Sequence, residues 1–262
     1  MPSRLDFYAG TIDRLLKDRA ASVLVVAGDR ADRDVFHQFG FTNVVISNLD
    51  ARLKGDEFAP YRFSFQDARR LTFADGEFDY VVVHDGLHHC SSPHAALLEM
   101  YRVARLGVVA IESRDSLVMR LALRLGLTKA YGHAAVFYNA CQFGGVNNTE
   151  IPNYVYRWSE SEIEKTINTY APHARHEFRY FYGSALPLLA QLGRGRLKRG
   201  LVAALFVVYN AFVWVAPRQQ NLFAFYIGKP VLPADLHPWL KLADGDITFD
   251  REWAARVYKE NT

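Results

Sequence analysis

Two adjacent histidines, His88 and His89, stand in VVVHDGLHHCSSP just after a strongly apolar run. A histidine titrates near neutral pH, so this pair suits the removal of a proton from a substrate hydroxyl. His88 is the favoured base, with one histidine facing the acceptor and the other packing or capping locally. Glu112 and Asp115 compete for the role from the end of a later apolar run, and His37 reads as structural. A second group is acidic. VLVVAGDRADRD carries Gly28, then Asp29, Asp32 and Asp34 interleaved with Arg30 and Arg33. A pyrophosphate ligand wants several glycines and a free helix N-terminus. Three aspartates repel it and suit a cation, although aspartate also favours an ordinary helix start.

These residues need elements to hold them. Val23–Val26 is an unbroken β-rich run, as expected for a strand buried on both faces. Further strands are predicted at Val44–Ser47, Tyr61–Phe65, Asp79–Val83 and Gly107–Ile111. A polar helix is predicted over 11–19, and another over 30–39 ending at Gly40. A third begins at Ser92-Pro93 and stops before Gly107. Strand–helix alternation predicts an α/β fold with a parallel sheet and helices on both faces. Ligands then bind at the carboxyl ends of the strands. Beyond residue 158, Ser159 caps a helix to about Tyr170, and Arg175–Tyr182 and Asn221–Gly228 read as late strands.

The segment QDARRLTFADGEFDYVVVHDGLHHCSSPHAALLEMYRVARLG resembles class I S-adenosylmethionine (SAM)-dependent methyltransferases, and the likeness extends over residues 1–112. The resemblance implies a Rossmann-like seven-stranded sheet whose last strand is antiparallel. It implies SAM as cofactor, held by Ala27, Gly28 and Asp29, by Asn48 and Asp50, by Asp67 and Ala68, and by His84, Asp85 and Gly86. Gly28 matches the first-loop glycine, and Asp67 the carboxylate that meets the adenine amino group. Two positions depart from the family pattern: Val25 and Asn48 stand where acids are usual. A competing reading, motivated by those departures, is a methyltransferase-like binding or scaffold protein without catalysis. SAM carries no phosphate, so the acidic loop is compatible with it; Arg30 or Arg33 could meet its carboxylate. Asp85, Glu112 and Asp115 could be invoked for a divalent ion, but their spacing is not diagnostic and no metal is expected.

The chain is read as one methyltransferase domain over 1–262, with an acceptor-lid insertion at 115–158 and a C-terminal tail at 230–262. Within the insertion, Phe137, Tyr138, Phe143, Tyr154, Tyr156 and Trp158 alternate with Asn139, Gln142, Asn147, Asn148 and Asn153. Aromatic faces stack on sugars and amides bond hydroxyls, so the expected acceptor is a sugar, polysaccharide or glycolipid hydroxyl. A lid whose aromatics simply pack on the domain is the competing reading. Residues 201–216 are apolar all round, and these sixteen residues fall short of the roughly 20 a spanning helix needs. With Arg194, Arg196, Lys198 and Arg199 just before it, this helix reads either as an interfacial membrane contact over 194–216 or, preferably, as a buried core or homodimer helix. A net charge of +3 does not point to a nucleic-acid partner. Cys90 and Cys141 lack metal spacing, and no secretory leader is visible, so a cytoplasmic location is expected.

Overall fold

The computed structural model describes residues 3–185 and 196–258. Its central feature is a seven-stranded sheet in the order β3-β2-β1-β4-β5-β7-β6. The strands are β1 (Val23–Val26), β2 (Val44–Asn48), β3 (Arg62–Phe65), β4 (Phe78–His84), β5 (Ala104–Ser113), β6 (Glu177–Gly183) and β7 (Leu222–Gly228). Strands β1 to β5 pair in parallel, while β7 runs antiparallel to both β5 and β6.

The unbroken apolar run in β1 has a direct reason. Side chains alternate across a strand, so Leu24 and Val26 enter one core and Val23 and Val25 the other. The first core also takes Val81, Val83, Leu97 and Met100 from β4 and α3 (Pro93–Val103), with Ile163 and Ile167 from α6 (Glu160–Tyr170). The second takes Val82 and Val109, with Tyr8 and Ile12 from α1 (Arg4–Leu15) and Val35 and Phe36 from α2 (Arg30–Gln38).

The first helix lies earlier than the 11–19 predicted. Ser3 and Asp6 form a reciprocal capping box, the Ser3 side chain accepting from the Asp6 N–H and the Asp6 side chain from the Ser3 N–H. That start pulls α1 over the carboxyl end of β4. The 115–158 segment holds α4 (Leu117–Arg124) and α5 (His133–Tyr138), and the tail holds a hairpin of β8 (Leu240–Ala243) with β9 (Asp246–Phe249) followed by α8 (Arg251–Tyr258).

The apolar 201–216 run lies in α7 (Arg196–Val215). Its described side chains do not form a buried helix: Val213 is buried, whereas Val207, Val208, Phe212, Trp214 and Val215 are exposed. Arg194 lies outside the described residues. Among the described residues, no helix is long and apolar enough to cross a membrane.

Candidate active site

The loops after the first four strands open on one cavity of about 550 Å³. Ala27 and Asp29 line it from the loop after β1, Asn48 and Asp50 from that after β2, Asp67 and Ala68 from that after β3, and His84, Asp85 and Gly86 from the end of β4. Gly28 does not line it. A Cβ there would stand 2.8 Å from both Ile46 Cγ2 and Val25 Cγ1, so the position is glycine because β1 and β2 leave no room. The left-handed backbone falls one residue earlier, on Ala27 (φ 53°), and again on Asp85 (φ 53°). Non-glycine residues held in that region concentrate at functional loops. Gly86 lets the two loops meet, since a Cβ there would lie 2.7 Å from Ala27 Cβ.

The acidic loop does two jobs at once. Asp29 caps α2, its carboxylate accepting from the Ala31 and Asp32 N–H groups, and Asp32 returns the bond by accepting from the Asp29 N–H at 2.8 Å. Arg30 and Arg33 turn away from the cavity, Arg30 to the Glu57 carboxylate and Arg33 to the Glu57 carbonyl, which removes both as partners for a bound carboxylate. Burial, then the nearby Asp29 charge, raises the Asp32 carboxyl to about 7. The folded state thus binds a proton that the unfolded chain, titrating near 3.8, has released. His84, lowered to about 4, gains stability over the same rise, but the Asp32 contribution itself falls as pH rises from about 4 to about 7 and then levels off. Asp32→Asn should flatten that slope and raise the melting temperature at pH 8, in thermal melts compared with the wild type at pH 5 and 8.

Other lining groups are already partnered. Asn48 donates to the Gly28 carbonyl at 2.9 Å and accepts from the Asp50 N–H, tying the first two loops together. Asp50 pairs with Arg52, and Asp67 with Arg69 at 2.6 Å; each arginine holds its carboxyl below the usual range. Arg4, from α1, meets Asp85. Tyr8 stacks on His84 with ring centroids 4.3 Å apart. Burial, with Arg4 close by, pushes His84 down to about 4, so its imidazole is neutral at physiological pH. Asp85 Oδ1 and His84 Nε2 are buried without a hydrogen-bond partner among the described residues. Cys90 also lines the cavity, and burial pushes its thiol up to about 12.

The two histidines part ways. His89 faces the cavity, and burial followed by the charge of His88 lowers its basicity. His88 lies beside it, ring centroids 4.6 Å apart, with Nδ1 2.8 Å from Oε2 of the fully buried Glu112 at the end of β5. Glu112 Oε1 accepts from the Leu87 N–H at 2.7 Å. A carboxylate held this way keeps the proton on Nδ1 and leaves Nε2 as the basic nitrogen. Asp115 is taken by Arg120 and does not join them. Asp85, His88 and Glu112 bring donor atoms within 4.8 Å of one another, a spacing a cation could use, and the Arg4 guanidinium stands at the Asp85 corner. Arg4, Tyr8 and the Glu112 pairing were missed from sequence; the Ser3–Asp6 capping box is the one local signal for placing α1.

The lid residues divide differently from the expectation. Asn139, Asn147 and Asn148 reach the cavity rim, with Gly144 and Gly145, but none of the six aromatics lines it. Trp158 is fully buried in the first core with Tyr156 against it, while Phe143 covers the Arg52 guanidinium. Asn153 is buried and donates to the His88 carbonyl at 3.0 Å.

Residues 39–111 match the family model described as a methyltransferase domain. Over those residues the chain is similar to methyltransferase domains, and its sheet has the Rossmann-like methyltransferase fold. Among solved structures, the fold is similar to magnesium protoporphyrin IX methyltransferase from Synechocystis with bound SAH, at 12% identity and a TM-score of 0.51 over 86% of this chain and 82% of that one. It is also similar to a SAM-dependent methyltransferase from Thermotoga maritima described as a possible histamine N-methyltransferase, at 14% identity and 0.50 over 87% and 90%. A third is a SAM-dependent methyltransferase from Archaeoglobus fulgidus, at 11% and 0.50 over 86% and 94%. No curated protein matches the chain. The cavity suits SAM, the cofactor that the resemblance implies: four aspartates and five amides line a space with no glycine-rich phosphate cradle, and two orphaned buried polar atoms lie at its β4 end.

Proposed function

We propose that the enzyme methylates a hydroxyl of a sugar, polysaccharide or glycolipid precursor, with His88 as the general base oriented by Glu112. The observation that carries this is the 2.8 Å His88–Glu112 contact beside the cofactor cavity. An alcohol must lose its proton as it attacks, and an imidazole whose Nδ1 is held by Glu112 presents Nε2 to take it. SAM, when bound, supplies a methyl group on a sulfonium for in-line displacement. The chain's own work is then to align the acceptor and hold its proton.

Asp67 and the Ala68 backbone would receive the adenine, and Asn48 and Asp50 the ribose, Arg52 and Arg69 yielding their carboxylates to the ligand. Ala27 and Asp29 would carry the methionine end, with Gly28 shaping the loop between them and His84, Asp85 and Gly86 closing over it. Asn139, Asn147 and Asn148 at the rim would bond acceptor hydroxyls. Arg4 supplies positive charge at Asp85, so no metal is needed. Treatment with EDTA should leave turnover unchanged, and a loss restored by magnesium would place an ion at Asp85, His88 and Glu112. Contact with a membrane through 194–216 belongs to the same reading, since a glycolipid acceptor sits in one.

The test is calorimetric titration with SAM, followed by incubation with a panel of sugar and glycolipid acceptors read by mass. A methyl group on a sugar oxygen is expected. No SAM heat from folded protein, or methylation only at nitrogen or carbon, would overturn the reading.

A further inference from the structure

The insertion and the end of α7 share a property that methyl transfer does not use. Along α4 and its C-cap, Leu117, Leu121 and Leu125 recur every fourth residue, and all three are exposed, Leu117 at 69%. That spacing puts them in one row along the helix. Leu127 continues the exposure past the helix end. On α7, Trp214 is 85% exposed with Val215 beside it. The two helices are joined at these ends: in the turn directly after α7, the Gln219 carbonyl accepts from the Ser116 hydroxyl at 3.3 Å, and its side-chain oxygen from the Val118 N–H at 3.4 Å. Phe137 and Tyr138 are exposed on α5, whose Ala135 lines the cavity. Several large apolar side chains exposed on elements joined in this way mark an interaction site.

Charge says what covers it. Residues 116–149 and 178–234 contain none of the chain's 28 acidic residues and ten of its 31 lysines and arginines. Arg120 and Arg124 flank the leucine row, Lys129 follows it, and Arg218 sits in the joining turn, all exposed. Arg120 pairs with Asp115 and Arg218 lies 3.7 Å from Glu160, and the face still carries basic residues in excess of carboxylates beside its leucines and exposed tryptophan, the composition of a surface that lies in an anionic lipid interface.

We infer that α4 and the C-terminal end of α7 form one face that docks on an anionic membrane surface, placing the cavity mouth beside it for an acceptor held in that membrane. This rests on the membrane reading of 194–216 and moves half of the contact to the insertion. The full chain is floated with vesicles of phosphatidylcholine alone, or of phosphatidylcholine with phosphatidylglycerol. Recovery with the anionic vesicles only, weakened by added salt, is expected. The double substitution Leu121→Glu with Leu125→Glu, and separately Trp214→Ser, should each lower partitioning ~tenfold or more. Unchanged thermal melting and SAM heat would show that both variants are folded. Unaltered partitioning of the α4 variant overturns the shared face, and loss in Trp214→Ser alone leaves only the 194–216 reading standing. Absence of wild-type binding overturns both. A lipid-free dimer that the α4 variant converts to monomer would give the face to a second copy and also overturn the inference. The assay contains no acceptor, so each result stands apart from the sugar reading.

Discussion

Replacing His88 with alanine is expected to lower turnover by about 10² to 10⁴-fold, the range a positioned general base contributes, while SAM affinity stays within about twofold. The affinity is spared because His88, held by Glu112, stands beside the cofactor cavity and outside its lining, whereas His89 lines it. His89→Ala should therefore show the opposite split, with weaker SAM binding and a smaller change in turnover at saturation. Glu112→Gln keeps the shape but gives up the charge that orients the imidazole, so its effect should lie in the same direction as that of His88→Ala. If the two act as a unit, the double variant will be no slower than His88→Ala alone. Steady-state rates together with calorimetric SAM titrations check all four proteins. Full turnover in His88→Ala would remove it as the base.

Gly28→Ala should cost about 1 to 3 kcal/mol of stability, the usual penalty for overfilling a packed core. The added methyl would meet Val25 and Ile46, both fully buried on adjacent strands, so neither can step aside into solvent. SAM binding should weaken as well, because the same adjustment displaces Ala27 and Asp29 at the cavity wall. Gly10→Ala is the natural control. It lies inside α1 with nothing within 4 Å of the added atom, and it should gain roughly 0.5 to 1 kcal/mol from helix propensity. Urea unfolding of the two variants beside the wild type measures both. A neutral Gly28→Ala would show that the β1–β2 spacing is softer than the contacts imply.

Much of this molecule was legible from residue order alone. The VLVV run required a strand covered on both sides, and the alternation after it required a parallel sheet with its loops gathered at one end. Those two local facts place Asn48, Asp67, Asp85 and the histidine pair around one opening without any knowledge of distances. Other features depended on the folded chain because they join residues far apart in sequence. Glu112 reaches His88 only because β5 pairs beside β4 in register, His84 opposite Ile111. Arg4 meets Asp85 only because α1 packs across that end of the sheet. The lid aromatics looked like a sugar platform in sequence, yet burial took Trp158 and Tyr156 into the core and left the rim to amides. The composition of 201–216 called for burial, and exposure is decided by what packs opposite, which no local pattern records. The sequence by itself therefore determined the sheet and the end of it at which the loops gather, because strand period and caps are local properties. The tertiary structure alone decided which histidine carries a carboxylate partner and which apolar helices remain uncovered, because pairing and burial are properties of neighbours in space.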